Sequence, residues 1–289
     1  MEGLFAKESV RVKDKSAVLN KLERLVSDGP QRLQVITDFD QTISKWKTST
    51  GKIELMTHGI LAERLDAEQK KKLQEICSSY IPIEHSTDMT MEEKIPFMVE
   101  WWTLAHDLIV ELGFKKSILK EYVRESNLEL RDNSLDFLLC TERADIPVLI
   151  FSGGIGDVID ILLRQRLGRV LSNVHTESNF IEFDASGKIV GFRSPLVHTF
   201  NKNASVVKNE HSFFNKLKSR PNVLLLGDSL GDVNMDTGII NEGAVVKIGF
   251  YNREVTEKGL NAYMSGYDIV LISDETFSVP MAILKSIVA

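Results

Sequence analysis

The stretch Leu33–Ser44, LQVITDFDQTIS, constrains the fold more than any other part of the chain. Leu33, Val35 and Ile36 form a short apolar run, which suits a strand covered on both faces, as in parallel sheets. The run passes directly into two carboxylates, Asp38 and Asp40, separated by Phe39. In extended chain, residues two apart point the same way. Both carboxylates can therefore face one site at the carboxyl end of a strand, where open α/β sheets bind their ligands. Two like charges held together are costly unless a cation or a shared proton relieves them, so the loop calls for a metal, with Mg²⁺ the best match. Taken alone, the pair is equally compatible with a solvated turn.

The 289 residues suit one large domain, or a core with a smaller one. A hydrophobic fraction of 43% and a charged fraction of 26% are those of a soluble protein with a sizeable core. The net charge of −6 argues against a binder of nucleic acid polymers or membrane surfaces. A small anionic substrate remains compatible, because lysines and a metal invert the field locally. Cys77 and Cys140 are far apart and form no CxxC, which points to a reduced, cytoplasmic setting without disulfides or a zinc site. The opening MEGLFAKESVRVKDK has no long apolar run, so no signal peptide is expected. No stretch reaches the ~18 apolar residues of a membrane span. A monomer is expected.

Ser16–Asp28 has helical spacing of Val18, Leu19, Leu22, Leu25 and Val26, and Gly29-Pro30 ends it. After the acidic loop the texture changes. Residues 51–127 are rich in Glu, Lys and Met, and two segments, Asp66–Gln69 and Thr90–Glu93, have the form of helix-starting capping boxes. A helical block of this length between a first and a second strand is too long for an ordinary crossover. The expected organisation is a catalytic core of residues 1–50 and 128–289 with a helical cap, 51–127, inserted after the first strand. A helix is expected at 133–143, a buried strand at Pro147–Phe151, and a helix after Ser152-Gly153-Gly154-Ile155-Gly156. A hairpin follows at 180–192, then a helix at 204–218 and a strand at Val223–Leu226 that runs into Gly227-Asp228-Ser229-Leu230-Gly231-Asp232. Strands at 244–248 and 268–272 and a helix at 277–288 complete the chain.

Three buried strands thus end in polar loops, DFDQT, SGG and GDSLGD. A parallel doubly wound sheet brings all three to one edge. Asp38, Asp40, Asp228 and Asp232 are then expected around one point, and four acids there require a cation. Ser152 adds a hydroxyl, and the glycines after it expose backbone N–H groups at a helix start, a cradle for phosphate.

This set of motifs resembles the haloacid dehalogenase superfamily of phosphatases. DxDxT is present as Asp38 to Thr42, the second-strand serine as Ser152, and the acidic GDxxxD as Gly227 to Asp232. FSGGIGDVIDIL, HTFNKNAS, LLLGDSLGD and MTMEEKIPFMVEWW are further similar to the cytosolic 5′-nucleotidase III family, over about Val35 to Asp274. The resemblance implies a Rossmann-like three-layer core with a mainly parallel sheet and a helical cap. It implies Mg²⁺-dependent removal of the 5′-phosphate from nucleoside monophosphates, either pyrimidine nucleotides or, in one branch, also 7-methylguanosine monophosphate.

Position by position, the resemblance makes Asp38 the nucleophile that forms an aspartyl-phosphate. Asp40 becomes the general acid and then the base, with its backbone carbonyl on the metal. Asp228 becomes the side-chain metal ligand, with Asp232 in the metal's outer layer. Ser152, Gly153 and Lys202 hold the phosphoryl oxygens, and Lys94 is a rival for the role of Lys202. Thr42 either donates to phosphate or caps the turn. Recognition falls to the cap. Glu84 matches the family position that hydrogen-bonds the base, and Trp46 and Trp102 are candidates to sandwich it. Trp101 is expected in the core, and His85 and His106 have structural roles. The run Trp101-Trp102-Thr103-Leu104-Ala105 is closer to the 7-methylguanosine branch than to the pyrimidine branch. The competing readings are a phosphatase for another small metabolite, because the core motifs do not see the leaving group, and a non-catalytic nucleotide sensor. Phosphotransfer to a nucleoside follows if an alcohol replaces water.

Overall fold

The computed structural model describes residues 2–86, 88–203, 212–238 and 243–289. In chain order the elements are β1 (Val10–Arg11), α1 (Lys15–Asp28), β2 (Leu33–Thr37), α2 (Thr57–Ala62), α3 (Ala67–Glu84), α4 (Met91–Glu111), α5 (Lys116–Ser126) and α6 (Ser134–Arg143). There follow β3 (Val148–Ile155), α7 (Gly156–Leu167), β4 (Val174–Asn179), β5 (Ile181–Phe183), β6 (Ile189–Phe192) and α8 (Ser212–Lys218). The chain ends with β7 (Asn222–Gly227), β8 (Val245–Tyr251), α9 (Glu257–Gly266), β9 (Ile269–Ile272) and α10 (Ser278–Val288).

Seven strands form one sheet in the order β1-β9-β8-β7-β2-β3-β4. All neighbours are parallel except β1, which pairs antiparallel with β9 at one edge. The central strands are buried along their whole length because both sheet faces are covered. Their residues alternate between two apolar clusters: Leu33, Val35, Val148, Ile150, Leu224 and Leu226 enter one, and Ile36, Leu149, Phe151, Val223 and Leu225 enter the other. Leu22, Phe137, Ile159 and Ile283 bring α1, α6, α7 and α10 to the first face. Phe214 and Leu217 of α8, with Leu260 and Tyr263 of α9, cover the second.

The sequence lacks a clear signal for β4, whose VHTESN is polar and only half buried at the sheet edge, and for α9, which buries no residue. Both capping boxes form as predicted, at Asp66 and Thr90. Of the helix predicted at 204–218, residues 204–211 lie outside the described residues. Between β2 and β3 the chain carries α2 to α6, the first four of them in the segment 51–127. Ile60, Leu61, Ile109, Leu119 and Val123 of that segment join the same apolar cluster as the sheet. By contrast, α3 buries none of its residues and lies against α4, with Tyr80 stacked on Trp101 at 6.1 Å.

Candidate active site

The order β7-β2-β3 sets the three polar loops side by side at the carboxyl ends of the sheet's central strands. Asp38 follows β2 directly, and its N–H donates to Leu226 O of β7 (3.0 Å). Asp38, Asp228 and Asp232 each bring a carboxylate oxygen within 4.8 Å of the others. Lys202 reaches into this group: its Nζ donates to Asp38 Oδ1 (2.6 Å) and Asp232 Oδ1 (2.8 Å). Three of these groups are dry, with Asp38 3%, Asp232 0% and Lys202 7% exposed, and Asp228 is half-buried.

One ammonium does not balance this cluster. Burial pushes the Asp38 carboxyl up to about 7, against the pull of Lys202, and Asp232 adds to the rise. Burial and the neighbouring Asp38 and Asp232 raise Asp228 as well. Lys202 keeps its charge, since the two carboxylates outweigh its own desolvation. Asp232 is already saturated: Oδ1 takes Lys202, and Oδ2 accepts Ser229 N–H (2.9 Å), the Ser229 hydroxyl (2.8 Å) and Asp228 N–H (3.2 Å). No hydrogen bond to the Asp228 carboxylate is found among the described residues. Hard oxygens, excess negative charge and one unsatisfied carboxylate fit a Mg²⁺ ion, with Asp38 and Asp228 better placed as direct ligands than Asp232.

Asp40 is held apart from the cluster. Its Oδ1 accepts Thr57 N–H (2.8 Å) and its Oδ2 the Thr57 hydroxyl (2.7 Å). Burial lifts its carboxyl to about 6, and the two Thr57 bonds oppose the rise. The glycine loop lies alongside. Ser152 Oγ accepts Gly154 N–H (3.1 Å), and a Cβ on Gly154 would sit 2.2 Å from Thr57 Oγ1 and 2.7 Å from Asp40 Oδ2. Here the structure corrects the sequence reading. The Ser152-Gly153-Gly154 stretch is the end of β3, with a break in register between Phe151 and Ile155, and α7 starts only at Gly156. The bulge, rather than a helix start, opens the backbone there.

Two further layers hold these loops. Arg131, 1% exposed, donates to Thr42 O (2.9 Å), Gln41 O (2.8 Å), Asn252 Oδ1 (2.8 Å), Glu275 Oε2 (3.1 Å) and Asp274 O, and lies 4.3 Å over the Phe250 ring. It thereby supports Gln41, whose φ of 60° is uncommon outside glycine. Tyr263 OH donates to Asp228 O (2.5 Å), and Tyr267 OH to Ser229 O. Thr42 is buried, and its hydroxyl has no hydrogen-bond partner among the described residues.

The predicted recognition residues are spread out. Trp102, half buried, donates from Nε1 to Gly153 O (2.7 Å) and meets Trp101 edge-on at 5.0 Å. Glu84, at the end of α3, accepts the Thr199 hydroxyl at Oε1 (2.7 Å), three residues before Lys202. Burial raises the Glu84 carboxyl, and Thr199 opposes that. Lys94 donates to Glu84 O (3.0 Å) and Ser86 O (2.6 Å), which ties it to the α3–α4 turn instead of the carboxylates. Trp46 is joined to neither tryptophan: its backbone N–H donates to Glu275 Oε2 (3.1 Å), and Lys47 lies 4.3 Å over its ring. Trp101, predicted as core, is half buried on Tyr80. His106 is buried between Phe192 (3.8 Å, stacked) and His58, whose Nε2 lies 3.1 Å from its own. Thr57, Arg131, Tyr263 and Tyr267 carry no motif in the sequence and are found only by their contacts; Thr199 lies in the HTFNK stretch, but its bond to Glu84 is found only in the structure.

The sequence model of the pyrimidine 5′-nucleotidase (UMPH-1) family matches residues 41–288. The 7-methylguanosine phosphate-specific 5′-nucleotidase of Gallus gallus is 39% identical over 283 residues, 97% of this chain and 96% of that one. The crystal structure of cytosolic 5′-nucleotidase IIIB bound to cytidine superimposes with a TM-score of 0.84 at 31% identity, covering 99% of this chain and 95% of that one. A substrate-bound phosphoserine phosphatase, 16% identical with a TM-score of 0.52, shares the fold alone. With a match that takes in every loop around the acidic cluster except Asp38 and Asp40 themselves, the chain belongs to the pyrimidine 5′-nucleotidase family and is a phosphomonoester hydrolase of that kind.

Proposed function

We propose that the protein hydrolyses nucleoside 5′-monophosphates, of the 7-methylguanosine and pyrimidine types such as CMP, through an aspartyl-phosphate on Asp38, with Mg²⁺ as cofactor. The observation that carries this reading is the division of labour between two carboxylates two residues apart. Asp38 sits in the acidic cluster against Lys202, and Asp40 is held outside it by Thr57. The names of the 7-methylguanosine phosphate-specific relative and the cytidine complex support the substrate classes.

In the first step an Asp38 oxygen attacks phosphorus and the P–O5′ bond breaks. Asp40 gives its proton to the departing O5′; in the second step it takes a proton from the water that attacks the aspartyl-phosphate, releasing phosphate and restoring Asp38. A carboxyl lifted by burial to about 6 is suited to both transfers near neutral pH. Lys202 holds phosphoryl oxygens, together with the Ser152 hydroxyl and the backbone at Gly153. Asp38, Asp228 and the Asp40 carbonyl would hold the metal, with Asp232 one layer out. When bound, Mg²⁺ supplies the positive charge that lets an anionic nucleophile meet an anionic phosphate.

The cap is residues 51–127 on a core of 1–50 and 128–289, and Glu84, Trp102 and Trp46 are the residues through which base identity is read. The substrate is a small molecule, and the protein acts as a monomer. The relative's description as cytosolic supports a cytosolic location. No helix among the described residues is long and apolar enough to cross a membrane.

A panel of phosphomonoesters at fixed Mg²⁺ tests the proposal. Expected are the highest kcat/KM values for 7-methylguanosine monophosphate and CMP, with loss of turnover in chelator and recovery on adding Mg²⁺. If sugar phosphates outrun every nucleotide, the substrate assignment fails. Undiminished turnover in chelator overturns the metal.

A further inference from the structure

We infer that Thr57 is the positioning residue for the acid–base carboxyl of Asp40, and that through it the first helix after the acidic loop sets the proton transfer to the leaving oxygen. The inference rests on the reading of Asp40 as general acid.

Four contacts fix the arrangement. Thr57 N–H donates to Asp40 Oδ1 (2.8 Å) and its hydroxyl to Oδ2 (2.7 Å), so one residue holds both oxygens and with them the carboxyl plane. The same hydroxyl accepts Ile155 N–H (3.0 Å). With its acceptor side engaged by an N–H, the hydroxyl is oriented to direct its proton at Asp40. Gly154 lies against both partners: a Cβ there would meet Thr57 Oγ1 at 2.2 Å and Asp40 Oδ2 at 2.7 Å. The bulged end of β3, which carries Ser152, therefore abuts the residue that aims Asp40.

Thr57 is fully buried, and so is shut off from competing water. It lies seventeen positions beyond Asp40 in sequence, on the far side of the 45–53 loop and outside every recognised motif. Each Asp40 oxygen retains a lone pair after meeting Thr57, so the carboxyl remains able to carry the proton it delivers. In the step itself the Asp38–phosphorus bond forms, the P–O5′ bond breaks, and O5′ takes the Asp40 proton. Thr57 acts through the Asp40 carboxyl alone: it fixes the direction from which that proton arrives.

A leaving-group comparison separates this role from a merely structural one. A nucleoside O5′ is strongly basic and needs the proton as it departs; p-nitrophenolate does not. kcat/KM reports events up to departure of that group. In Thr57→Val, kcat/KM for CMP should fall about 10–100-fold, while kcat/KM for p-nitrophenyl phosphate should stay within about threefold of the unaltered enzyme. Because both substrates are read on the same preparation, a loss of folded protein cancels in their ratio. Thr57→Ser, which keeps both donors, should bring the ratio back. Equal loss on both substrates, no loss on either, or no recovery with serine overturns the inference. Asp40→Asn is the control on the underlying reading: it should depress kcat/KM for CMP far more than kcat/KM for p-nitrophenyl phosphate. If Asp40→Asn shows no such preference, the general-acid reading fails and the role of Thr57 falls with it; if it does and Thr57→Val does not, only the role of Thr57 fails.

Discussion

The proposed phosphate end of the site and its proposed recognition side are built in different ways. At the phosphate end, the chemistry-bearing groups extend from strands that are buried from end to end, and Asp38, Asp232 and Lys202 are themselves almost fully covered. Asp232 and Lys202 there have two or more hydrogen-bond partners each. The recognition side has Trp46, Trp101, Trp102 and Glu84 only partly covered, on α3, α4 and a loop, and α3 buries no residue. The difference teaches where precision is needed. Charge that develops during phosphoryl transfer must meet fixed dipoles in a dry setting, whereas a base must enter, be read and leave.

This contrast is sharpest at Lys202. Replacing it with Met leaves Asp38 and Asp232 without their shared counter-charge and removes a donor to the phosphoryl oxygens. kcat should drop about 10²–10³-fold. A Lys202→Met enzyme within tenfold of the unaltered one would show that the phosphate end does not depend on this arrangement.

Arg131 tests whether the support behind the phosphate end matters as much as the groups in it. Lysine cannot reproduce a planar fork that serves five acceptors. Arg131→Lys should lower stability by about 1–3 kcal/mol through stranded carbonyls and slow turnover about tenfold. Urea denaturation and steady-state kinetics measure the two; an unchanged midpoint with full activity would contradict the support assigned to it.

On the other side, Trp102→Ala should act through recognition. Stacking on a base contributes ~1–3 kcal/mol, and a positively charged 7-methylguanine adds cation–π attraction. The loss in kcat/KM should be about tenfold for 7-methylguanosine monophosphate and smaller for CMP. An equal or smaller loss for the methylated purine removes Trp102 as its platform. The indole N–H already bonds Gly153 O, so a parallel fall in kcat on both substrates would instead make Trp102 part of the phosphate cradle.

The smallest effect concerns stability alone. Burial holds His58 down to about 4, and burial with His58 beside it holds His106 down to about 2. The unfolded chain takes up these protons near 6.5 while the folded one refuses them, so their contribution is intact above pH 6.5 and is lost as pH falls from there toward 4. The raised carboxyls of Asp38, Asp40 and Asp228 pull in the opposite sense, so the comparison must be with His106→Gln. The unaltered protein should lose more stability than that variant between pH 7 and pH 5, by about 1–2 kcal/mol. Coincident curves would contradict the neutral pair.

Much of the phosphate end was legible in the sequence because its signals are local. An apolar run that breaks into acids or glycines marks a strand end, and three such ends in a parallel sheet must share an edge. The shared edge gave Asp38, Asp228 and Asp232 their neighbours before any contact was visible, and the HTFNK resemblance added Lys202. The register break in β3 was not legible, because nothing in SGGIG separates a bulged strand from a helix start. Thr57, Arg131 and the contact that Thr199 makes were hidden for another reason. Each acts across a gap in sequence, seventeen positions for Thr57 to Asp40 and 115 for Thr199 to Glu84, and a single threonine or arginine has no pattern to announce it. The expectation that Trp46 and Trp102 flank a base came from residue type; in the structure the Trp46 ring lies under Lys47, and its backbone N–H donates to Glu275.

The central claim, that Asp38 and not Asp40 takes the phosphoryl group, is tested most directly by trapping. Enzyme turning over CMP with Mg²⁺ is quenched in acid and reduced with borohydride, which converts an aspartyl-phosphate to homoserine, and its peptides are mapped by mass spectrometry. The account predicts homoserine at position 38 and aspartate unchanged at position 40. Homoserine at 40, or at neither position while phosphate accumulates, would contradict it.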